Sequence, residues 1–199
     1  MPAILAPPAL APERAAPTRP RKRWTVSEVH DLVALGKLSE TGYELIEGDL
    51  ITQMPKNMPH IVAVHNVLRW IYSTFGFEHT VSQDSVFISA NSSPEPDVCV
   101  FQKPVESYLP NGKMPIVEAV LVVEVSDSTL DYDMTTKADL YARAGVTEYW
   151  VLDVAGRRLH VFTAPQNGAY PAPRTFEEAD TAVAIGKPGM GVRVALLLP

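Results

Sequence analysis

The run Ala119-Val-Leu-Val-Val-Glu-Val-Ser126 constrains this chain most, because a stretch so apolar suits a central strand covered on both faces and yet encloses a carboxylate. Glu124, flanked by valines, is poorly solvated unless something cationic compensates it. Strict alternation along the strand places Glu124 on the same face as Val120, Val122 and Ser126. Two more polar residues stand in apolar surroundings: Asp97 in Pro96-Asp97-Val98, and Lys137 in the helix expected after the strand. Two carboxylates and an ammonium in such settings suggest a metal site. Mg²⁺, with Mn²⁺ as its usual substitute, takes oxygen ligands and needs only one or two carboxylates, which suits cleavage of a phosphodiester.

Length and composition set the outer limits. A chain of 199 residues that is 46% apolar can bury one real core, with room for a tail. The single cysteine, Cys99, excludes an internal disulfide framework, and without a Cys/His cluster at zinc spacing no structural zinc site is expected; cysteine usage points to the cytoplasm. Glu118 and Glu124 interrupt the most hydrophobic stretch, so no membrane span is expected. The apolar start, Met1 to Pro12, is broken by prolines and has no leading basic region, unlike a signal peptide.

Charge is unevenly distributed. The net charge is −6, but residues 1–23 carry five Lys/Arg against Glu13 alone, so this stretch is +4 and the rest about −10. An acidic body disfavours nonspecific DNA binding through its own surface, whereas a basic tail can supply a few phosphate contacts. The plainer expectation for residues 1–22, rich in Ala, Pro and Arg, is a disordered leader, with the folded domain over 23–199.

Along that domain, Thr25 and Glu28 form a capping-box pattern ahead of Val29, Leu32 and Val33. Tyr43–Thr52 reads as a hairpin turning near Glu47-Gly48. From Pro59 to Phe75, Ile61, Val64, Leu68, Ile71, Tyr72 and Phe75 fall on one helical stripe. Strands are expected around Val81–Ile88 and Asp97–Phe101, then at Ala119–Ser126. A helix over 133–144 starts near Asp131 or Asp133, ends at Gly145, and puts Lys137 on a face with Leu140, Tyr141 and Ala144. Glu148–Val154 and Arg158–Thr163 form a second hairpin around Ala155-Gly156, and Val183–Leu198 holds one or two short strands. This order argues for α/β (α+β) architecture, one mixed sheet with helices on its faces.

Pro96-Asp97, Val123-Glu124-Val125-Ser126-Asp127-Ser128, Lys137 and Leu140-Tyr-Ala-Arg-Ala-Gly-Val-Thr-Glu-Tyr-Trp150 together resemble the Uma-two family of restriction-endonuclease-like proteins, within the PD-(D/E)XK superfamily. The resemblance covers about residues 24–199 and extends to Tyr43-Glu-Leu-Ile-Glu-Gly48, His60 and Gln83. It implies a mixed β-sheet core flanked by helices and a divalent-metal nuclease site. On that mapping Asp97 is the motif aspartate and Glu124 the acid of the (D/E)XK element. The third element departs: Ser126 stands where the superfamily signature has lysine, and the cation has to come from Lys137 on the next helix.

The chemistry expected is hydrolysis of nucleic-acid phosphodiesters, most naturally in DNA. Asp97 and Glu124, with the Val125 carbonyl, are the candidate Mg²⁺ ligands. Lys137 would orient the attacking water, help to deprotonate it, or offset charge in the transition state. Ser126, on the Glu124 face, is a candidate hydrogen-bond donor to a water at the site, and Glu44, His60 and Gln83 are candidate supports. Alternatives remain for each: Asp97 as a turn acid, Glu124 and Lys137 as a structural ion pair, His60 as a surface histidine and Glu44 as a polar hairpin position. His65 is expected as half-buried packing, Tyr149 and Trp150 as core aromatics, and Cys99 as a small buried hydrophobe. Duplex cleavage by one-site subunits makes a homodimer the simplest assembly. The rival class is a non-catalytic nucleic-acid or protein-binding module that keeps the fold while the Glu124–Lys137 pair serves structure.

Overall fold

In the computed structural model, which describes residues 21–199, the expected tail falls outside the described residues except for Arg21 and Lys22. Both make surface ion pairs, Lys22 with Glu28 and Arg21 with Asp49. Helix α1 (Val26–Ala34) opens on the capping box read from the sequence, Thr25 and Glu28 bonding each other's backbone amides. Strands β1 (Tyr43–Ile46) and β2 (Asp49–Thr52) form the first hairpin. Glu47 and Gly48 both have positive φ, 49° and 83°, the geometry of a two-residue primed turn, which glycine adopts without strain.

Helix α2 (Met58–Phe75) is capped by Asn57 and buries Ala63, Val64, Val67, Ile71 and Thr74, with Leu68 and Phe75 packed beside them. The expected stripe is therefore rotated: Val64, Leu68, Ile71 and Phe75 face the core, but Ile61 and Tyr72 are exposed. The helix carries more apolar residues than its buried face needs, so periodicity alone leaves the angle open. His65 is exposed rather than half-buried.

The main sheet has the order β3-β4-β5-β6-β7-β8, comprising β3 (Thr80–Val81), β4 (Val98–Phe101), β5 (Ala119–Ser126), β6 (Glu148–Asp153), β7 (Arg158–Thr163) and β8 (Arg174–Glu177). Only β5 and β6 run parallel, and the helical segment of residues 130–143, here α3, crosses between them. Expected strand Val81–Ile88 shrinks to Thr80–Val81; Val86 and Ile88 instead bond the backbone of the following turn at Pro94 and Ser92. Strand β8 is absent from the sequence reading, because only Phe176 of its four residues is buried. Strands β9 (Thr181–Ala182) and β10 (Val192–Arg193) form a small separate ladder in the C-terminal segment.

Each sheet face carries its own core. On one, α2 and the C-terminal segment cover Leu121, Val123, Val125 and Trp150, with Trp70 stacked on Trp150 at 5.1 Å between ring centroids. On the other, Ala138 and Tyr141 of α3 cover Cys99, Val122, Tyr149 and Val151. Cys99 is fully buried, and burial pushes its thiol well above the ordinary range, as a packing residue requires. Alternation in β5 breaks at a bulge where Phe101 pairs with Ala119 and Val100 with Leu121. Val120 consequently packs with the Leu121 layer, not on the Glu124 face. No helix among the described residues is long and apolar enough to cross a membrane.

Candidate active site

The start of β4 and the end of β5 lie side by side. Val98 pairs with Val123, which brings Asp97 and Glu124 to the same level just where the sheet opens. The Asp97 amide donates to Glu124 Oε2 at 3.4 Å, and the Val125 amide donates to Asp97 Oδ2 at 2.9 Å. Both carboxylates are nearly closed to solvent, Asp97 at 8% and Glu124 at 3% exposure.

Lys137 reaches them from α3. The helix begins at Leu130–Tyr132, passes through a π-helical turn at Asp133–Lys137 and ends as Ala138–Arg143, its start one residue ahead of Asp131, the earlier of the two starts expected. One extra residue in a turn re-aims the side chains around it, and such turns occur frequently at functional sites. Gly145, with φ 81°, closes the helix; Val146 N donates to Tyr141 O and Gly145 N to Ala142 O, the Schellman pattern. Lys137, 5% exposed, donates to Glu124 Oε1 at 3.0 Å and lies 3.1 Å from Glu44 Oε2 on β1. The Tyr141 hydroxyl, one turn on, donates to the same Glu124 oxygen at 3.0 Å.

The remaining candidates take supporting positions. His60 stands in the first turn of α2, where Asn57 accepts from its amide, and its Nε2 is 3.2 Å from Asp97 Oδ2. Gln83 donates to Asp97 Oδ1 at 3.3 Å from a backbone held at φ 60°, a left-handed conformation that costs about 1 kcal/mol for a residue of this kind. Glu44 also accepts from the Glu95 amide at 3.3 Å. Ser126 is committed elsewhere: its hydroxyl donates at 2.6 Å to Asp133, which also accepts from Thr129 at 2.6 Å.

Asp133 is thus a buried member of the cluster that sequence reasoning treated only as a helix-terminus charge. Its place one turn ahead of Lys137 was the available signal. A tyrosine on a helix advertises its ring before its hydroxyl, so the pattern that puts Tyr141 on the apolar face does not reveal its bond to Glu124, nor the place of Tyr132 at the cleft. All of these side chains except Tyr141, Ser126 and Gln83 line a cleft of about 140 Å³.

Four carboxylates, those of Glu44, Asp97, Glu124 and Asp133, surround the single ammonium of Lys137. Burial pushes the Glu124 carboxyl well above the ordinary range, only partly offset by Lys137 and reinforced by Asp133, Asp97 and Glu44. For Lys137, burial alone would lower the ammonium's value, but Glu124, Glu44 and Asp133 outweigh it and keep the group charged. Burial opposes ionisation of Asp97 too, yet His60 and the Val125 amide prevail and its value falls below the usual range.

This donor set fits a hard divalent cation. Asp97 Oδ1 and Glu124 Oε2 each carry a single long hydrogen bond, at 3.3 and 3.4 Å, and so keep lone pairs to give. Among the described residues no three His, Cys, Asp or Glu side chains form a ready metal cage, which disfavours an all-protein site. Mg²⁺ needs no such cage, because it keeps several waters.

The model of the family Uma2, described as "Putative restriction endonuclease", matches residues 27–195. The chain belongs to this family. The Uma2 match spans both β1 and β10, so the whole cleft lies inside it. A solved structure titled as "a putative nuclease belonging to DUF820", from Anabaena variabilis ATCC 29413, is similar to this Uma2 chain with a TM-score of 0.61 and 20% identity. The likeness covers 83% of this chain and 96% of that one, and it bears on the fold. No curated protein matches.

Proposed function

We propose that this Uma2 chain is a Mg²⁺-dependent endonuclease acting on DNA, with Asp97, Glu124 and the Val125 carbonyl as metal ligands and Lys137 as the accompanying cation. One observation carries the reading: two buried carboxylates from adjoining strand ends lie beside the buried ammonium of Lys137 in a cleft that the exposed Lys56 also lines, and each retains an oxygen with spare acceptor capacity. Mg²⁺, or Mn²⁺ in its place, would supply Lewis acidity toward a phosphoryl oxygen and a water activated for attack.

The chain's own residues then have separable tasks. His60 and Gln83 fix the Asp97 carboxylate from its two sides. Lys137 donates one hydrogen bond to Glu124 and is ion-paired with Glu44, which leaves N–H capacity to face a phosphate oxygen or the attacking water. The charges of Glu124, Glu44 and Asp133 hold the proton on Lys137, so its task is to stabilise negative charge as the water oxygen bonds to phosphorus, the water's proton passing to solvent, and one P–O ester bond breaks, the leaving oxygen taking a proton from solvent. Asp133, held by Ser126 and Thr129, anchors the π-helical turn that presents Lys137.

The acidic body repels a polyanion at long range, and metal at the cleft together with the basic segment before Trp24 would offset this. A homodimer in the cytoplasm completes the proposal, since one site per chain cuts one strand and a two-fold pair cuts both. The test is calorimetric titration of Mg²⁺ and Mn²⁺ into wild type, Asp97→Ala and Glu124→Ala, followed by plasmid and single-strand cleavage with the same samples. Metal binding and cleavage that vanish together in both variants support the nuclease. Wild type that binds neither metal leaves Glu124–Lys137 as a structural pair in a non-catalytic binding module.

A further inference from the structure

Among the described residues three buried side-chain polar atoms have no hydrogen-bond partner: Thr74 Oγ1, His60 Nδ1 and Tyr132 Oη. Thr74 sits on the packed face of α2, away from the cleft. The other two belong to His60 and Tyr132, which line the cleft that holds Asp97, Glu124 and Lys137. They arrive from opposite faces of the sheet, His60 from the first turn of α2 and Tyr132 from the first turn of α3. A hydroxyl buried without a partner is destabilising, and phenylalanine would fill the same space without that cost. Two such atoms on residues that line one cleft mark polar capacity at its wall that the fold itself does not use.

Resting on the nuclease reading above, we infer that Tyr132 is a substrate-binding residue whose hydroxyl donates to a non-bridging oxygen of the phosphodiester seated over Asp97 and Glu124. The chemistry suits a donor. Burial, followed by the charge of Glu44, raises the Tyr132 phenol above its ordinary value, so the hydroxyl keeps its proton at neutral pH. The buried ammonium of the cleft, Lys137, is already shared between Glu44 and Glu124. A neutral donor on the α3 wall adds a contact to the anion without adding to the crowded charge.

The test uses Tyr132→Phe in the full chain, which removes one oxygen. Three quantities are compared with wild type: thermal midpoint, Mg²⁺ affinity, and affinity for a short phosphorothioate oligonucleotide that resists cleavage. The expected result is a midpoint equal to or above wild type, unchanged Mg²⁺ affinity, and oligonucleotide binding weakened about tenfold to a hundredfold, as for one hydrogen bond to a charged group. Cleavage should lose a similar factor in kcat/KM. A lower midpoint would show that the hydroxyl serves packing, and equal oligonucleotide affinity would show that it touches no substrate; either overturns the inference. Wild type that binds the oligonucleotide but cleaves no strand with any metal removes the nuclease reading alone, and the Tyr132 contact is still decided by the ratio of the two affinities. Wild type that does not bind the oligonucleotide overturns both.

Discussion

Glu124 and Glu148 stand on the parallel strands β5 and β6, 3% and 1% exposed, each beside bulky apolar neighbours. Their surroundings differ. Glu148 receives the Trp150 indole N–H at 2.8 Å on one oxygen and the Ile185 amide at 2.8 Å on the other. Neutral donors of the fold give each of its oxygens a short bond, and it pins the C-terminal segment to the sheet. Glu124 has both of its strong bonds, from Lys137 and Tyr141, on Oε1, and only a 3.4 Å contact on Oε2. Burial raises both carboxyl groups, so cost alone does not distinguish them. What distinguishes them is whether the protein finishes solvating the group or leaves an oxygen open beside other carboxylates.

The sharpest way to break this comparison is to neutralise each acid in turn. Glu124→Gln should lower cleavage about a thousandfold or more by weakening the proposed metal site, while Glu148→Gln leaves turnover of the folded protein unchanged. Comparable losses at both positions would mean that a buried carboxylate matters here only for stability.

Next in size is the charge balance around Glu124. Lys137→Met leaves Glu124 and Glu44 buried against each other with no cation and should cost about 3–5 kcal/mol in urea unfolding. In a Glu124→Gln background the same change should cost less, because one of the two stranded charges is gone. Equal costs in both backgrounds would show that Lys137 answers to Glu44 alone.

The same contrast explains how much could be read from residues in order. The hairpin at Tyr43–Thr52, the Thr25 cap and the central strand were legible because each depends on neighbours in sequence. Glu124 and Lys137 stood out because a charge in an apolar stripe is anomalous locally. Glu148 passed as a strand-end residue, since its partners lie at Trp150 and, far along the chain, at Ile185. The bulge that moves Val120 to the other layer, the rotation of α2 and the Asp133 network all depend on which elements meet, and no local period encodes that. Strand β8 escaped because a half-exposed edge strand has little apolar pattern to show.

The smallest effect expected is in the pH dependence of stability, and it separates Glu148 from the acids held in the opposite sense. Its folded-state value is raised, by burial first and against the pull of its two N–H donors, so between the unfolded carboxylate value and the raised one the native state binds the extra proton. Stability must then fall as pH rises through that window, by about 1.4 kcal/mol for each pH unit the window spans. Glu124 contributes with the same sign, and Asp97, whose value is lowered, contributes stability that is present above the unfolded value and lost as pH falls through the folded one. Replacing Glu148 by Gln removes its share, so the variant's stability relative to wild type should improve as pH rises through that window and stay level above it, measured by unfolding at a series of pH values from the unfolded carboxylate value upward. A difference that stays flat would mean that the two N–H donors offset the burial of Glu148 completely, and Glu124 would then differ in carrying a net perturbation as well as in the open oxygen.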